Sequence, residues 1–590
     1  MPKYPQLLTC LGCASMLLLP VAGRSGALPA AAAQLPPATS PALQWAGVRD
    51  RFLEDYFRAQ PELAVGAGRH EFDGQVEDLS AAGLAAEVTR LHAARDRMVA
   101  VDPATLPSAE RFERDYALRV IDADLFWREK ARAPFRNPYW YIQLIDPQPY
   151  VGRNYAAPDV RLKAFVAYAH RVPAIAANIR ANLAGPLPRS FVELAIKGFG
   201  GYADFFREDV PAAFAEVRDP GLQRQLADVD ATAATAMTGL REFFVGKRRT
   251  ANEDFALGRE LFAQMLRDTE RVDIPVVQIE AVGRADLERN TAALRQVCDR
   301  YLPGGSLRAC IAKTNAEKPQ EGVVAAGTAD LKRLREFVVQ HQIVTVPNAD
   351  EALVAESPPY NRGNGAYIQL PGPYDHGVHA VFYISPPDPN WTAVEQLAYV
   401  PSRAQLLVGA VHEVWPGHFL QYLHSNSSPS KLEGTWVSYG FAEGWAHYAE
   451  ELMIEEGLAD DDPALHIAQL AGAMLRDVRL LSAIGLHTGG MTQEESEQMF
   501  MNAALQDAGT ARQQAARGTY DPEYLKYTLG KLMIRKLRGD WVAAQLGGRT
   551  ATPAEQRLLW HDFHDRLLSF GGPAIPRLRA VMLGDASPPL

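Results

Sequence analysis

Trp45-Ala46-Gly47-Val48-Arg49-Asp50-Arg51-Phe52-Leu53-Glu54-Asp55-Tyr56-Phe57 opens the body of the chain. Trp45, Val48, Phe52, Tyr56 and Phe57 recur mostly at three- and four-residue steps. That repeat puts apolar side chains on one side of an α-helix. The same spacing predicts helices over 84–100, 108–131, 159–184, 206–217, 221–246, 251–270 and 279–301. It returns over 402–425, 441–456, 463–484, 493–507, 522–545 and 553–570. Pro and Gly mark the joints; at Gly185-Pro186-Leu187-Pro188 two prolines stop any helix. The expected class is therefore mostly α.

Strand signals are few, and the best lies between Gly365 and Ser385. Ala366-Tyr367-Ile368-Gln369-Leu370 leads to a Pro371-Gly372 turn, and His379-Ala380-Val381-Phe382-Tyr383-Ile384 follows. Aromatic and β-branched residues on both sides of a turn predict a hairpin or small sheet. Such a pair either packs against the core or offers an edge to an extended peptide.

The 590 residues carry a net charge of −10 with 47% apolar residues. Nucleic acid is excluded as a partner, because phosphate binding needs a concentrated basic surface. The longest basic run is Lys247-Arg248-Arg249. At the N-terminus Lys3 precedes a mostly apolar stretch from Leu7 to Ala22, with small residues after it. This pattern predicts a signal peptide over 1–27 and an exported protein, periplasmic or secreted. The stretch is shorter than the roughly 20 apolar residues of a membrane span, so no stable span is expected after cleavage. Cys13 suits lipid attachment poorly: Cys10 stands three residues before it, where Leu is usual, and it comes early in the apolar run.

Residues 28–42 are rich in Ala and Pro and read as a disordered lead. The body divides softly near 345, into a helical part (43–345) and a metal-binding part (346–590) of one continuous unit. Cys298 and Cys310 are the two cysteines outside the signal. A pair twelve residues apart in an exported chain predicts a disulfide, worth about 3 kcal/mol in the chain-entropy picture; two separate buried thiols are the alternative.

The run His412-Glu413-Val414-Trp415-Pro416-Gly417-His418 carries the chemistry, with Glu443 following 25 residues later. Two imidazoles and a carboxylate suit a catalytic Zn2+, which keeps one position open for water. The Glu413 carboxylate, beside the first imidazole, is placed to take that water's proton. The spacing is unusual. In an unbroken helix His418 would lie roughly 120° around from His412 and about 9 Å along. Pro416 cannot donate to the carbonyl of His412, and Gly417 accepts unusual dihedrals. A kink at this pair, or a helix ending at Trp415 and restarting at Pro416, would bring the imidazoles together. Glu443 lies among small and aromatic residues, where an unpaired carboxylate is costly. His447, one turn on, is a partner to orient Glu443 or a substitute ligand.

The segments 412–421 and Gly440-Phe441-Ala442-Glu443-Gly444-Trp445-Ala446-His447-Tyr448 resemble the bacterial family of domain of unknown function 885. Weaker agreement runs through Gly68-Arg69-His70-Glu71-Phe72-Asp73, Asn137-Pro138, Gly485-Leu486-His487 and Tyr527-Thr528-Leu529-Gly530. That family is similar to helical zinc metallopeptidases of the angiotensin-converting-enzyme and carboxypeptidase Taq type. The resemblance implies a helical body around a deep cleft, a zinc held by His412, His418 and Glu443, and Glu413 as general base. It further implies peptidase activity on short peptides. The family often has Asp two residues before the Gly of Gly-Leu-His; here Ala483 stands there, which leaves His487 without that partner.

Tyr527 is the candidate donor to a developing oxyanion, with a packed helix tyrosine as the plain alternative. His487 is the candidate substrate-holding residue. Two other functions stay open: an exported binding protein with a structural or degenerate zinc site, and a zinc hydrolase of non-peptide amides or esters.

Overall fold

Ser402 caps the helix that carries the first histidine: its hydroxyl accepts from the Gln405 amide while the Gln405 side chain accepts from the Ser402 amide. This reciprocal cap fixes where the helix begins. A computed structural model describes residues 41–358, 361–362, 365–585 and 587–590. The expected signal peptide, Cys13 and nearly all of the lead lie outside the described residues.

The chain is mostly α, as its periodicity predicts. The elements that position the site are α1 (Pro41–Ala59), α2 (Arg189–Asp204), α3 (Pro220–Lys247), α4 (Val276–Tyr301) and α5 (Leu307–Ala316). Three short strands follow: β1 (Leu353–Glu356), β2 (Ala366–Gln369) and β3 (Val381–Ile384). Then come α6 (Arg403–Glu413), α7 (His418–Ser427), α8 (Tyr439–Glu455), α9 (Pro463–Ile484) and α10 (Lys526–Leu546). The expected 159–184 helix is two helices, Pro158–Ala169 and Val172–Asn182, because Pro173 opens the second. Residues 251–258 are not helical; Gly258, at φ 83°, leads into a helix that begins at Arg259.

The hairpin is present, with register Ala366↔Ile384 and Gln369↔Val381. An unexpected third strand, β1, pairs parallel to β3, so the order is β1-β3-β2 and β2 is an edge. One apolar core draws on residues from Trp45 to Leu578. A second draws on residues from Phe57 to Phe244. Cys298 and Cys310 are bridged, tying the end of α4 to α5.

Two helices approach with no side chains between them. A Cβ on Gly444 of α8 would fall 2.6 Å from the Cα of Gly530 of α10, and one on Gly530 would fall 2.1 Å from the Gly440 carbonyl. This backbone contact seats Tyr527, at the start of α10, beside the face of α8 that carries Glu443.

Candidate metal centre

The stretch 412–418 breaks as its proline and glycine require. Helix α6 ends at Glu413, the Trp415–Pro416 peptide is cis, and α7 begins at His418. The break is longer than either expected geometry, with four residues between the helices. A Cβ on Gly417 would sit 1.8 Å from the carbonyl oxygen of His412, so only glycine fits. Trp445 of α8, fully buried, donates its indole N–H to the Pro416 carbonyl at 2.8 Å and pins the turn to the helix that carries Glu443.

The outcome is convergence. The His412 and His418 rings stand 4.9 Å apart, edge to face. Their Nε2 atoms lie 3.4 and 3.5 Å from the same atom, Glu443 Oε2. One ligand atom from each of the three lies within 4.8 Å of the others.

These residues fit a divalent cation. Glu443 Oε2 is buried and accepts no hydrogen bond, a state that is costly unless a positive charge stands nearby. Burial pushes the Glu443 carboxyl up, but His418 and His412 outweigh it and hold it well below the usual range. Two neutral-capable imidazoles and one carboxylate are a zinc donor set with room for a further ligand.

The residues behind the imidazoles were only partly foreseen. His412 Nδ1 donates to Glu450 Oε1 at 2.7 Å, which turns Nε2 toward Glu443. Glu450 is in turn gripped by Arg476, at 2.9 and 3.2 Å. Such a carboxylate–imidazole pair sets tautomer and ring orientation. Glu450 lies on α8 two residues past the quoted segment, and its position seven residues after Glu443, two turns along one face, was the available signal. His447 does not orient Glu443. Its Nδ1 faces Glu450 at 3.5 Å, and it adds no atom to the triad. Burial pushes His447 down to about 3, so it is neutral.

Glu413 closes α6 one residue from His412. Its Oε2 accepts the Ile368 N–H of β2 at 3.1 Å, and burial raises its carboxyl. The small sheet therefore presents its edge directly to Glu413. Tyr527 stacks at 6.3 Å on the His412 ring and lies 3.5 Å from the Tyr439 hydroxyl. His487 stands apart. Its Nε2–H donates to the Gly518 carbonyl at 2.8 Å, and its Nδ1 accepts from the Leu257 amide at 3.2 Å. Packed by Phe255 and Phe262 and pushed by burial down to about 4, it is a neutral tie between the 251–258 stretch and the Ala508–Tyr520 helix. With both nitrogens committed, it has none left to hold substrate.

A cavity of about 560 Å³ opens beside the triad. His412, Glu413 and Ala366 line it on one side, and α5 and α9 on the other.

The profile described as bacterial protein of unknown function (DUF885) matches residues 61–582. The chain belongs to this family. Two solved structures share the fold. One, a lipoprotein candidate of unknown function from Shewanella oneidensis, has a TM-score of 0.74 at 22% identity, covering 91% of this chain and 99% of its own. The other, a lipoprotein candidate from Colwellia psychrerythraea, has a TM-score of 0.77 at 16% identity, covering 92% and 98%. No curated protein matches. Among the described residues of this DUF885 chain, no helix is long and apolar enough to cross a membrane.

Proposed function

We propose that this protein is an exported zinc hydrolase that cleaves short peptides, with Glu413 as general base. The observation that carries the reading is the convergence of His412, His418 and Glu443 on one point, with Glu413 adjacent. A bound zinc would supply an acidified water and polarise the substrate carbonyl.

The chain's own residues do the rest. Glu413, anchored through Oε2 to the β2 amide, takes a proton at its other oxygen and returns it to the leaving amine. The Tyr527 hydroxyl, on the α10 turn held against α8, donates to the carbonyl oxygen as charge develops. Glu450 and Arg476 keep the His412 ring aimed. The outward edge of β2 gives an extended substrate backbone partners for strand addition.

Three ligand residues rather than four favour an open, catalytic site over a closed structural one. His447, turned to Glu450, supplies no fourth ligand. The motif likeness to helical zinc metallopeptidases belongs to the same proposal. Export is supported by the residue pattern of 1–27 and by the lipoprotein descriptions of both structural neighbours.

The test is Glu413→Gln. Zinc content by elemental analysis should match the wild type while hydrolysis of a short-peptide panel disappears. A variant that cleaves at the wild-type rate sinks the mechanism.

A further inference from the structure

Three arginines line the cavity beside the triad: Arg308, Arg476 and Arg479. Two of them are spent. Arg476 grips Glu450. Arg308 donates to the backbone carbonyls of Met501, Leu505 and Gln506. Arg479 is different. Its Nε donates to Gln514 Oε1 at 2.8 Å, and among the described residues no carboxylate forms an ion pair with it. Its guanidinium lies over the Tyr527 ring, 5.0 Å from the centroid. The same ring stacks on His412.

A cation in such a place is costly. Burial and the neighbouring Arg517 and Arg476 all disfavour its charge, yet guanidinium does not lose its proton. The fork of a guanidinium matches a carboxylate. This fork and the His412 imidazole of the proposed metal centre both pack against the Tyr527 ring, so the gap between them is bridged by about one to three residues of extended chain. The rest of the wall mixes apolar residues such as Val408, Ile467 and Leu475 with polar ones, among them Asn315, Gln405 and Asp507.

We propose that Arg479 receives the free C-terminal carboxylate of the substrate, so that the enzyme releases one or a few residues from the C-terminal end of short peptides. The inference rests on the zinc-hydrolase reading for its chemistry. The carboxylate site itself stands on the unpaired guanidinium in the cavity.

The experiment compares N-acetylated tripeptides that end in a free acid with the same peptides ending in an amide. For the wild type, kcat/KM for the acid should exceed that for the amide by about tenfold to a hundredfold, the span of one charge-assisted pair. In Arg479→Gln that ratio should fall toward one, and Arg479→Lys should restore part of it. Zinc content checks that each variant is folded around its metal. Equal rates on acid and amide in the wild type overturn the proposal. So does a uniform loss on both substrates with the ratio kept, which would mean a merely structural arginine.

Calorimetric binding of the same pairs to Glu413→Gln separates the two readings. Tighter binding of the acid, lost in Glu413→Gln/Arg479→Gln, supports the carboxylate site even if the wild type cleaves no peptide, an outcome that sinks only the hydrolase reading. Equal affinity for acid and amide overturns the carboxylate site alone.

Discussion

His412 Nδ1 and Glu450 Oε1 are 2.7 Å apart, on two helices 38 residues distant in sequence. The pair decides which ring nitrogen faces Glu443. Arg476 holds the far side of the same carboxylate, so a chain of three side chains fixes one imidazole. Burial lowers the His412 pKa, but Glu443 and Glu450 outweigh it and hold the ring at about 9. The pocket is built to stabilise positive charge.

Glu450→Ala removes the acceptor and leaves Arg476 without its partner. Zinc affinity should fall by about 10–100-fold, the usual effect of losing the residue that orients a histidine ligand. Competition with a chelator of known affinity reads this directly. Unchanged affinity would mean that Glu450 serves packing alone. The melting temperature should fall too, because a buried pair broken on one side is costly.

Gly417→Ala tests the broken helix. Its Cβ would overlap the His412 carbonyl, and relief requires the 413–418 turn to open. A stability loss of about 3 kcal/mol is expected from overpacking of this kind, together with weakened zinc binding. Denaturant unfolding and zinc titration measure the two. A stable variant with native zinc affinity would show that the turn has slack.

Much of this was legible in the sequence, because the decisive signals are local. Pro416 and Gly417 forbid a continuous helix, and the apolar repeat around Trp45 and Phe52 needs no tertiary context. The failures are physical as well. Helix α2 was missed because Gly198, Gly200 and Gly201 dilute its pattern, and the Ala508–Tyr520 helix because it is polar on most sides. The Val323–Gln340 helix does carry the repeat, in Ala326, Leu331, Leu334 and Val338, and was readable. Strand β1 pairs with a partner 28 residues away, a contact that four residues cannot announce. His487 stands out through the Gly485-Leu486-His487 motif, yet its partners are two backbone groups, one from the 251–258 stretch and one from the Ala508–Tyr520 helix. Arg479 acquires meaning only when α9 packs beside the cavity.

Tyr527→Phe keeps the ring that stacks on His412 and underlies Arg479, and removes only the hydroxyl. Loss of one oxyanion donor costs about 10²–10³ in kcat. The expected result is that fall with KM and zinc content nearly unchanged. A shift confined to KM would move Tyr527 from the reacting carbonyl to substrate binding.

Asp230 lies on α3 inside the second core, 5% exposed, and neither carboxylate oxygen has a hydrogen-bond partner. Burial raises its pKa to about 7. In the unfolded chain an Asp titrates near 4. Between those values the folded state holds the extra proton, so stability falls as pH rises through the window. The penalty is absent below about pH 4 and complete above about pH 7. Asp230→Asn removes the charge while keeping the shape. It should be more stable than the wild type by roughly 1–3 kcal/mol at pH 8 and indistinguishable from it near pH 4. Urea unfolding of both proteins at pH 4.5, 6 and 8 gives the difference at each pH. A difference that stays constant across the series would mean that Asp230 is equally ionised in both states, and that this core tolerates a bare carboxylate.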